Sequence, residues 1–122
     1  MKGISYNIEK DLVRVVFDGQ IRVEAINRLI ADLIRKEKLP QNLKVLIDSR
    51  RAKYDTKPGE LPSIIKKLKE HNEKFESIKL TIIQQNPYET AISMIMQEYL
   101  KGLGNIYFKV FSTEQAAVSW LK

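Results

Sequence analysis

The chain has no cysteine and only one histidine among its 122 residues. Without cysteine it cannot form a disulfide, a thiolate nucleophile, a cysteine-ligated zinc site or an iron–sulfur cluster. A single histidine also rules out a metal site built from histidines alone. The composition therefore predicts no metal and no cofactor, and it argues against several classes of catalysis.

Long apolar runs are absent as well. No stretch approaches the about 18 consecutive apolar residues that a transmembrane helix requires. The N-terminus shows neither an apolar segment of signal-peptide length nor a small-residue cleavage pattern. Glycine patterns that bind phosphates or dinucleotides are also missing. We therefore expect a cytoplasmic protein without a transmembrane segment.

The length and net charge of the chain indicate its size class and the partners it could attract. A chain of 122 residues with 43% hydrophobic residues fits one domain, which we expect to span 1–122. Its net charge of +6 permits attraction to anionic partners, although such an excess usually only keeps a domain soluble. The lysines between positions 66 and 74 alternate with glutamates and lack interleaved aromatic residues. We therefore expect no nucleic-acid binding.

Hydrophobic periodicity predicts an α/β fold with five strands and four helices in the order ββαβαβαβα. This order favours a mixed, mostly parallel sheet that opens with an antiparallel hairpin, the polar segment 18–20 ending its second strand. The polar segment 49–60 is interpreted as a loop. The predicted strands are 4–8, 12–17, 43–48, 78–84 and 106–111. The predicted helices are 23 to about 38, with Arg35, Lys36 and Lys38 at its end and Pro40 stopping it, 61–75, 87–100 and 114–121.

Three segments carry a resemblance to a known family. They are the buried strand ending in Asp48 within 44–50 (KVLIDSR), the strand 78–84 with its following helix, and the C-terminal segment 110–121 (VFSTEQAAVSWL). In this order and at this length they resemble the STAS fold of anti-sigma-factor antagonists, and more narrowly the SpoIIAA-like (STAS/SEC14-like) domains. The resemblance implies a mixed five-stranded sheet and a non-catalytic regulatory module.

The resemblance also points to a phosphorylation candidate. Phosphorylatable STAS proteins carry an Asp-Ser-Ser-Gly turn after the central strand, and the matching region here is 54–59 (YDTKPG). Asp55 and Thr56 lie near the expected place, while the double serine is absent and Pro58 changes the local geometry. Thr56 is the candidate acceptor, and the alternative is a solvated loop threonine.

Basic residues concentrate in the segment 50–57, which holds two arginines and two lysines but a single acidic residue. Ligands of open α/β sheets bind outside the carboxyl ends of the strands, so this position favours an anionic ligand or an acidic patch of a partner. The alternative is a solvated loop whose arginines pair with Asp48 and Asp55. The predicted binding residues of this region are Asp48, Ser49, Arg50, Arg51, Tyr54 and Thr56.

The third predicted helix carries more apolar residues than one buried face needs. One apolar stripe is formed by Tyr88, Ala91, Ile92, Ile95, Tyr99 and Leu103, with Met94, Met96 and Leu100 outside it. A helix that is apolar on more than one face is either deeply covered or contacts a partner or a ligand. Met94 and Tyr99 are therefore added to the predicted binding residues.

Together these patterns predict a non-catalytic regulatory or binding module of STAS/SpoIIAA-like type. It would engage a protein partner or an apolar, lipid-like or anionic small ligand. Two alternatives remain open. One is a small enzyme of unknown substrate that uses Asp48 or His71, and the other is a structural homodimer built on the third helix.

Overall fold

The computed structural model describes residues 3–36 and 38–122 of the chain. Positions 1, 2 and 37 of the predicted domain lie outside the described residues. The strands form one five-stranded sheet in the order β1-β2-β3-β4-β5. The strands are β1 (Ile4–Ile8), β2 (Val13–Ile21), β3 (Asn42–Tyr54), β4 (Ser77–Ile83) and β5 (Ile106–Phe111), and the helices are α1 (Val23–Ile34), α2 (Leu61–Lys69), α3 (Pro87–Leu100) and α4 (Glu114–Leu121).

The sheet is mixed, as the element order predicts. β1 pairs antiparallel with β2, and every later pair is parallel. Apolar residues of one sheet face pack beneath α1, α2 and α3 in the main core. On the other face α4 covers a smaller cluster of Leu46, Ile83, Ala117 and Leu121. The chain is thus a three-layer α/β fold, which confirms the predicted fold class.

β3 is longer than the sequence predicts, because it continues through 49–54, where a loop is expected. Val16 faces Asp48 and Asp18 faces Arg51, so that two β3 residues lie opposite one β2 residue. This bulge changes which side chains point inward and leaves Ala52 fully buried. The extension pairs with β2 alone, since β4 ends opposite Asp48. Its polar residues can therefore face solvent within a strand. β2 likewise runs through 18–20, where a break is expected.

α1 and α2 are both shorter than predicted. α1 ends at Ile34, before the basic residues expected at its end, and α2 ends at Lys69 instead of near Phe75. The Asn105 side-chain amide donates to the backbone carbonyls of Asn72 (2.8 Å) and Phe75 (3.1 Å). These bonds hold the segment after α2 in a short turn, from which Phe75 still enters the core.

At the start of α4, Thr113 caps the helix by accepting from the Ala116 N–H at 3.2 Å.

Candidate functional site

A partly open cavity of about 140 Å³ lies between the sheet and the three helices α1, α2 and α3. Its wall is almost entirely apolar. Engineered apolar cavities of about 150 Å³ stay dry and bind benzene-sized molecules, so this cavity has room for an apolar group of that size. The wall includes Ile26, Ile30 and Leu33 of α1, Ile64 and Leu68 of α2, Val45, Ile47, Leu80, Ile82 and Phe108 of the sheet, and Ile92, Met96 and Leu100 of α3.

Polar residues lie at the two ends of this wall. His71 and Asn72 line it near the start of β4, and Tyr54, Thr56 and Ser93 line it near the end of β3. An apolar ligand could therefore place a small polar group at either end. His71, which the enzyme alternative would use, is partly exposed.

The end of the cavity near β3 is built on a buried polar cluster formed by Ser49, Tyr54, Gln84, Glu89 and Ser93. Ser49 Oγ and the Tyr54 hydroxyl share a hydrogen bond of 2.7 Å, and Glu89 Oε2 accepts from the Tyr54 N–H at 3.1 Å. Ser93 Oγ donates to the Glu89 carbonyl at 2.8 Å. These bonds connect β3 to α3 and fix the orientation of Tyr54 toward the cavity.

Gln84 joins this cluster to the β4–α3 connection. Its Nε2 donates to the Ser49 carbonyl (2.6 Å) and lies 3.1 Å from Ser49 Oγ. Its Oε1 accepts from the backbone N–H groups of Gln85 (2.9 Å) and Asn86 (3.0 Å). Asn86 precedes the first turn of α3, so this one buried amide sets where α3 begins relative to β3.

Burial raises the pKa of the Tyr54 phenol above its ordinary value, and the neighbouring Glu89 adds to the rise. Hydrogen bonds with Ser49, Ser93 and Gln84 oppose it in part. Because the folded state holds the phenol proton more tightly than the unfolded state, the resulting stability is present below the unfolded pKa of about 10. It is lost as pH rises through the folded pKa.

We expect Tyr54→Phe to lower the free energy of unfolding by about 1 kcal/mol at pH 7, because the hydrogen bond to Ser49 is lost. The gap between variant and wild type should narrow as pH rises above about 10, since only the wild type loses the Tyr54 contribution. Urea unfolding between pH 8 and 11 measures both effects. Tyr107→Phe is the control, because Tyr107 is 52% exposed. Equal pH profiles for the wild type and Tyr54→Phe would contradict this account.

The structure divides the predicted binding residues into three groups. Ser49 and Thr56 are buried and Tyr54 lies between them at the cavity end. Thr56 Oγ1 is 3.5 Å from the Ile21 carbonyl, so phosphorylation of Thr56 would require this segment to open. Whether these residues bind a ligand or accept a phosphate stays a prediction.

Asp48, Arg50 and Arg51 are engaged in local ion pairs. Arg50 lies 2.7 Å from Asp48 Oδ2, and its hydrogen bond to this carboxylate holds the pKa of Asp48 below its ordinary range. Arg51 pairs with Asp18 at 3.5 Å. The alternation of β3 places Asp48 on the α4 side of the sheet, away from the cavity. Residues 50–54 of the basic segment thus lie within β3, and only 55–57 follow its carboxyl end. Two of the segment's cations, Arg50 and Arg51, are already paired.

Met94 and Tyr99 lie on the outer face of α3, with exposures of 55% and 47%. Of the stripe residues, Ile92 is buried whereas Tyr88, Ile95 and Tyr99 are exposed, so the stripe does not mark the buried face of α3. Its inner face buries two polar residues, Glu89 and Ser93, whose hydrogen bonds are described above. The buried positions are Glu89, Ile92, Ser93, Met96 and Leu100, and the exposed apolar positions are Tyr88, Met94, Ile95 and Tyr99.

Sequence reasoning missed Gln84, Glu89 and Ser93. One signal was available, because Glu89, Ser93 and Met96 fall on one face of a helix at spacings of four and three.

Among residues 3–36 and 38–122 there is no group of three metal-ligating side chains. In the same part of the chain, no helix combines the length and apolar character needed to cross a membrane.

No protein-family model matches the chain, and a search of curated proteins finds no match. Several solved structures resemble it, among them these two. One is an uncharacterised protein of the DUF3478 family with a SpoIIAA-like fold from Shewanella loihica, with a TM-score of 0.63 and 19% identity over 98% of this chain and 94% of that one. The other is an anti-sigma factor antagonist from Mycobacterium paratuberculosis, with a TM-score of 0.53 and 15% identity over 97% of this chain and 93% of that one. The chain therefore has a SpoIIAA-like fold, as its sequence predicts.

Proposed function

We propose that this SpoIIAA-like domain is a non-catalytic binding module that holds a small apolar or lipid-like ligand in the cavity beneath α1, α2 and α3. The observation that carries the proposal is the cavity itself, about 140 Å³ in volume and walled almost wholly by apolar side chains. Protein interiors are otherwise close-packed, and an unfilled void costs stability. A ligand would recover that cost by supplying the missing contacts.

The polar cluster gives the ligand a preferred orientation. Tyr54 and Ser93 line the same end of the cavity and carry hydroxyl groups. A ligand with one polar end could exchange hydrogen bonds there while its apolar part lies along Leu80 and Met96. This arrangement favours a short amphiphile over a pure hydrocarbon.

The first experiment asks whether such a ligand binds. Solvent extraction of the purified full chain followed by mass spectrometry should recover an apolar molecule. After its removal, 1-hexanol and toluene serve as probes. Both should raise the thermal midpoint with concentration, because they bind only the folded state. Methyl NMR signals of Ile82 and Ile92 should shift, while those of Ile83 on the α4 side should not. Absence of both a co-purified ligand and probe-dependent shifts would refute the proposal.

A second function, contact with a protein partner, is favoured by the outer face of α3. Tyr88, Met94, Ile95 and Tyr99 form an exposed apolar surface there, of the kind that marks interaction sites. The same helix lines the cavity with Ile92 and Met96, so a ligand that displaces α3 would alter this surface. The resemblance to an anti-sigma factor antagonist supports a regulatory role of this kind.

A second copy of the chain is one partner that can be tested directly. We expect Met94→Glu to convert a dimer into a folded monomer in light scattering, because an unpaired carboxylate would be buried at the interface. Ile8→Glu is the control, since Ile8 is a comparably exposed apolar residue on β1. A dimer that persists in Met94→Glu would exclude α3 as its interface. A wild type that is already monomeric would exclude the homodimer.

A further inference from the structure

The face of the sheet that carries α4 holds a cluster of lysines with aromatic neighbours. Lys44 of β3 lies directly opposite Lys79 of β4, and Lys79 lies opposite Tyr107 of β5. Lys109 follows two positions after Tyr107 and therefore points to the same side. We call Lys44, Lys79, Lys109, Tyr107 and Trp120 the basic sheet surface.

Its central feature is a like-charge pair. Neighbouring strands lie about 4.8 Å apart, so the Lys44 and Lys79 side chains start from adjacent positions. Like charges directly opposite each other destabilise a sheet. Both side chains are also only partly exposed, which limits their screening by water. A negatively charged partner would relieve the repulsion between the two ammonium groups.

The acidic residues of this face are engaged elsewhere. Asp48 pairs with Arg50, and Glu114 lies 3.6 Å from Arg14. Within the described parts of the chain, no ion pair involves Lys44, Lys79 or Lys109. The positive charge that the sequence concentrates at 50–57 is thus partly paired, while the charge on this surface is not.

The groups on this surface are mainly hydrogen-bond donors. They are three ammonium groups, the Tyr107 hydroxyl, which is 52% exposed, and the Trp120 indole N–H. Lys79 Nζ lies 5.4 Å from the centroid of the Trp120 ring. A complementary partner must supply negatively charged acceptors.

We propose that the basic sheet surface binds an acidic segment of a protein partner. Lysine ammoniums are point charges that suit carboxylates, and the surface lacks the arginine forks typical of phosphate recognition. The Trp120 ring is packed against Phe111 (6.1 Å between centroids), and Lys79 Nζ lies 5.4 Å from its centroid, so a nucleotide base would have to displace Lys79 to stack there.

The lysines also lie near the C-terminal end of α4, whose carbonyl groups attract cations. This local role predicts that the lysines stabilise the fold without binding a partner. Partner binding and this local stabilisation are distinguishable, because only partner binding involves a ligand. The proposal is independent of the apolar cavity, which lies on the opposite face of the sheet.

The test uses a fluorescein-labelled ten-residue peptide of alternating glutamate and serine, titrated into the full chain at 50 mM NaCl. Two triple variants remove the same charge, Lys44→Gln/Lys79→Gln/Lys109→Gln on the surface and Lys66→Gln/Lys67→Gln/Lys69→Gln on α2. We expect the surface variant to lose at least about tenfold in affinity and the α2 variant less than about twofold. In an unlabelled titration, emission of Trp120, the chain's single tryptophan, should shift as the peptide draws Lys79 away.

Equal losses in the two variants would overturn the proposal, because net charge alone would then explain binding. Unchanged peptide binding in the surface variant, with a lower thermal midpoint, would assign the lysines to the local role at α4. The proposal would also be overturned if the surface bound single-stranded oligothymidylate or phosphatidylglycerol vesicles more tightly than the peptide. The partner would then be a nucleic acid or a membrane.

Discussion

Gln84→Glu is expected to lower the free energy of unfolding by about 2–4 kcal/mol at pH 7, although it changes only one atom of the side chain. Gln84 is 2% exposed. Its Nε2 lies 2.6 Å from the Ser49 carbonyl oxygen, and an ionised carboxylate would place a second oxygen there without a proton. The substitution therefore loses a hydrogen bond and buries a charge against an acceptor.

The effect should depend on pH with a definite sign. Burial and the facing carbonyl would raise the pKa of the introduced carboxyl above its unfolded value of about 4.3. Below that value the carboxyl is protonated in both states and can donate to Ser49, so the variant approaches wild-type stability. The deficit should grow as pH rises from about 4 through the folded pKa.

Urea unfolding of both proteins between pH 4 and 8 measures the deficit. Gln85→Glu is the control, because Gln85 is the next residue, is exposed, and also donates to a carbonyl, that of Ser112 at 2.9 Å. We expect it to cost less than about 1 kcal/mol. Similar costs at the two positions would show that Gln84 is not the buried connection between β3 and α3.

The order of elements was predictable because each strand and helix carries its own hydrophobic period. The extension of β3 through 49–54 was not, since it pairs only with β2 and its charged residues Arg50, Arg51 and Lys53 are exposed to solvent. A strand of this kind lacks the apolar run by which a buried strand is recognised. The bulge at Ser49 and Arg50 further interrupts the alternation that would reveal it.

The site was predictable only in part. Ser49, Tyr54 and Thr56 are neighbours in sequence, and the structure also brings them together near one end of the cavity; that they bind a ligand stays a prediction. The face of α3 that lines the cavity was not, since burying Glu89 depends on the Tyr54 N–H, which lies 35 positions away in the chain. The cavity itself depends on how side-chain volumes fit between the layers, and periodicity carries no information on volume.

Leu80→Phe is expected to raise the free energy of unfolding by about 0.5–2 kcal/mol and to weaken binding of the cavity probes at least about tenfold. Leu80 lies at the centre of the sheet yet remains partly exposed, because it faces the cavity. A phenyl ring at this position would occupy space that a ligand needs. The same ring would supply the contacts that the surrounding apolar wall lacks.

Leu46→Phe is the matched control. Leu46 lies on the neighbouring strand β3, is 2% exposed and packs beneath α4 on the opposite face of the sheet. The same substitution there must displace its neighbours, and overpacking of this kind costs about 1–3 kcal/mol. Binding of 1-hexanol should be unchanged in Leu46→Phe once the protein is folded.

Comparing the two variants tests two questions separately, namely whether the cavity is unfilled and whether the ligand binds in it. If Leu80→Phe destabilises the protein as much as Leu46→Phe, the space between the sheet and the helices is already filled, and the proposed ligand has no place to bind. If Leu80→Phe gains stability but still binds 1-hexanol like the wild type, the void exists and the ligand site lies elsewhere. Only a gain in stability together with a loss of binding is consistent with an apolar ligand held beneath α1, α2 and α3.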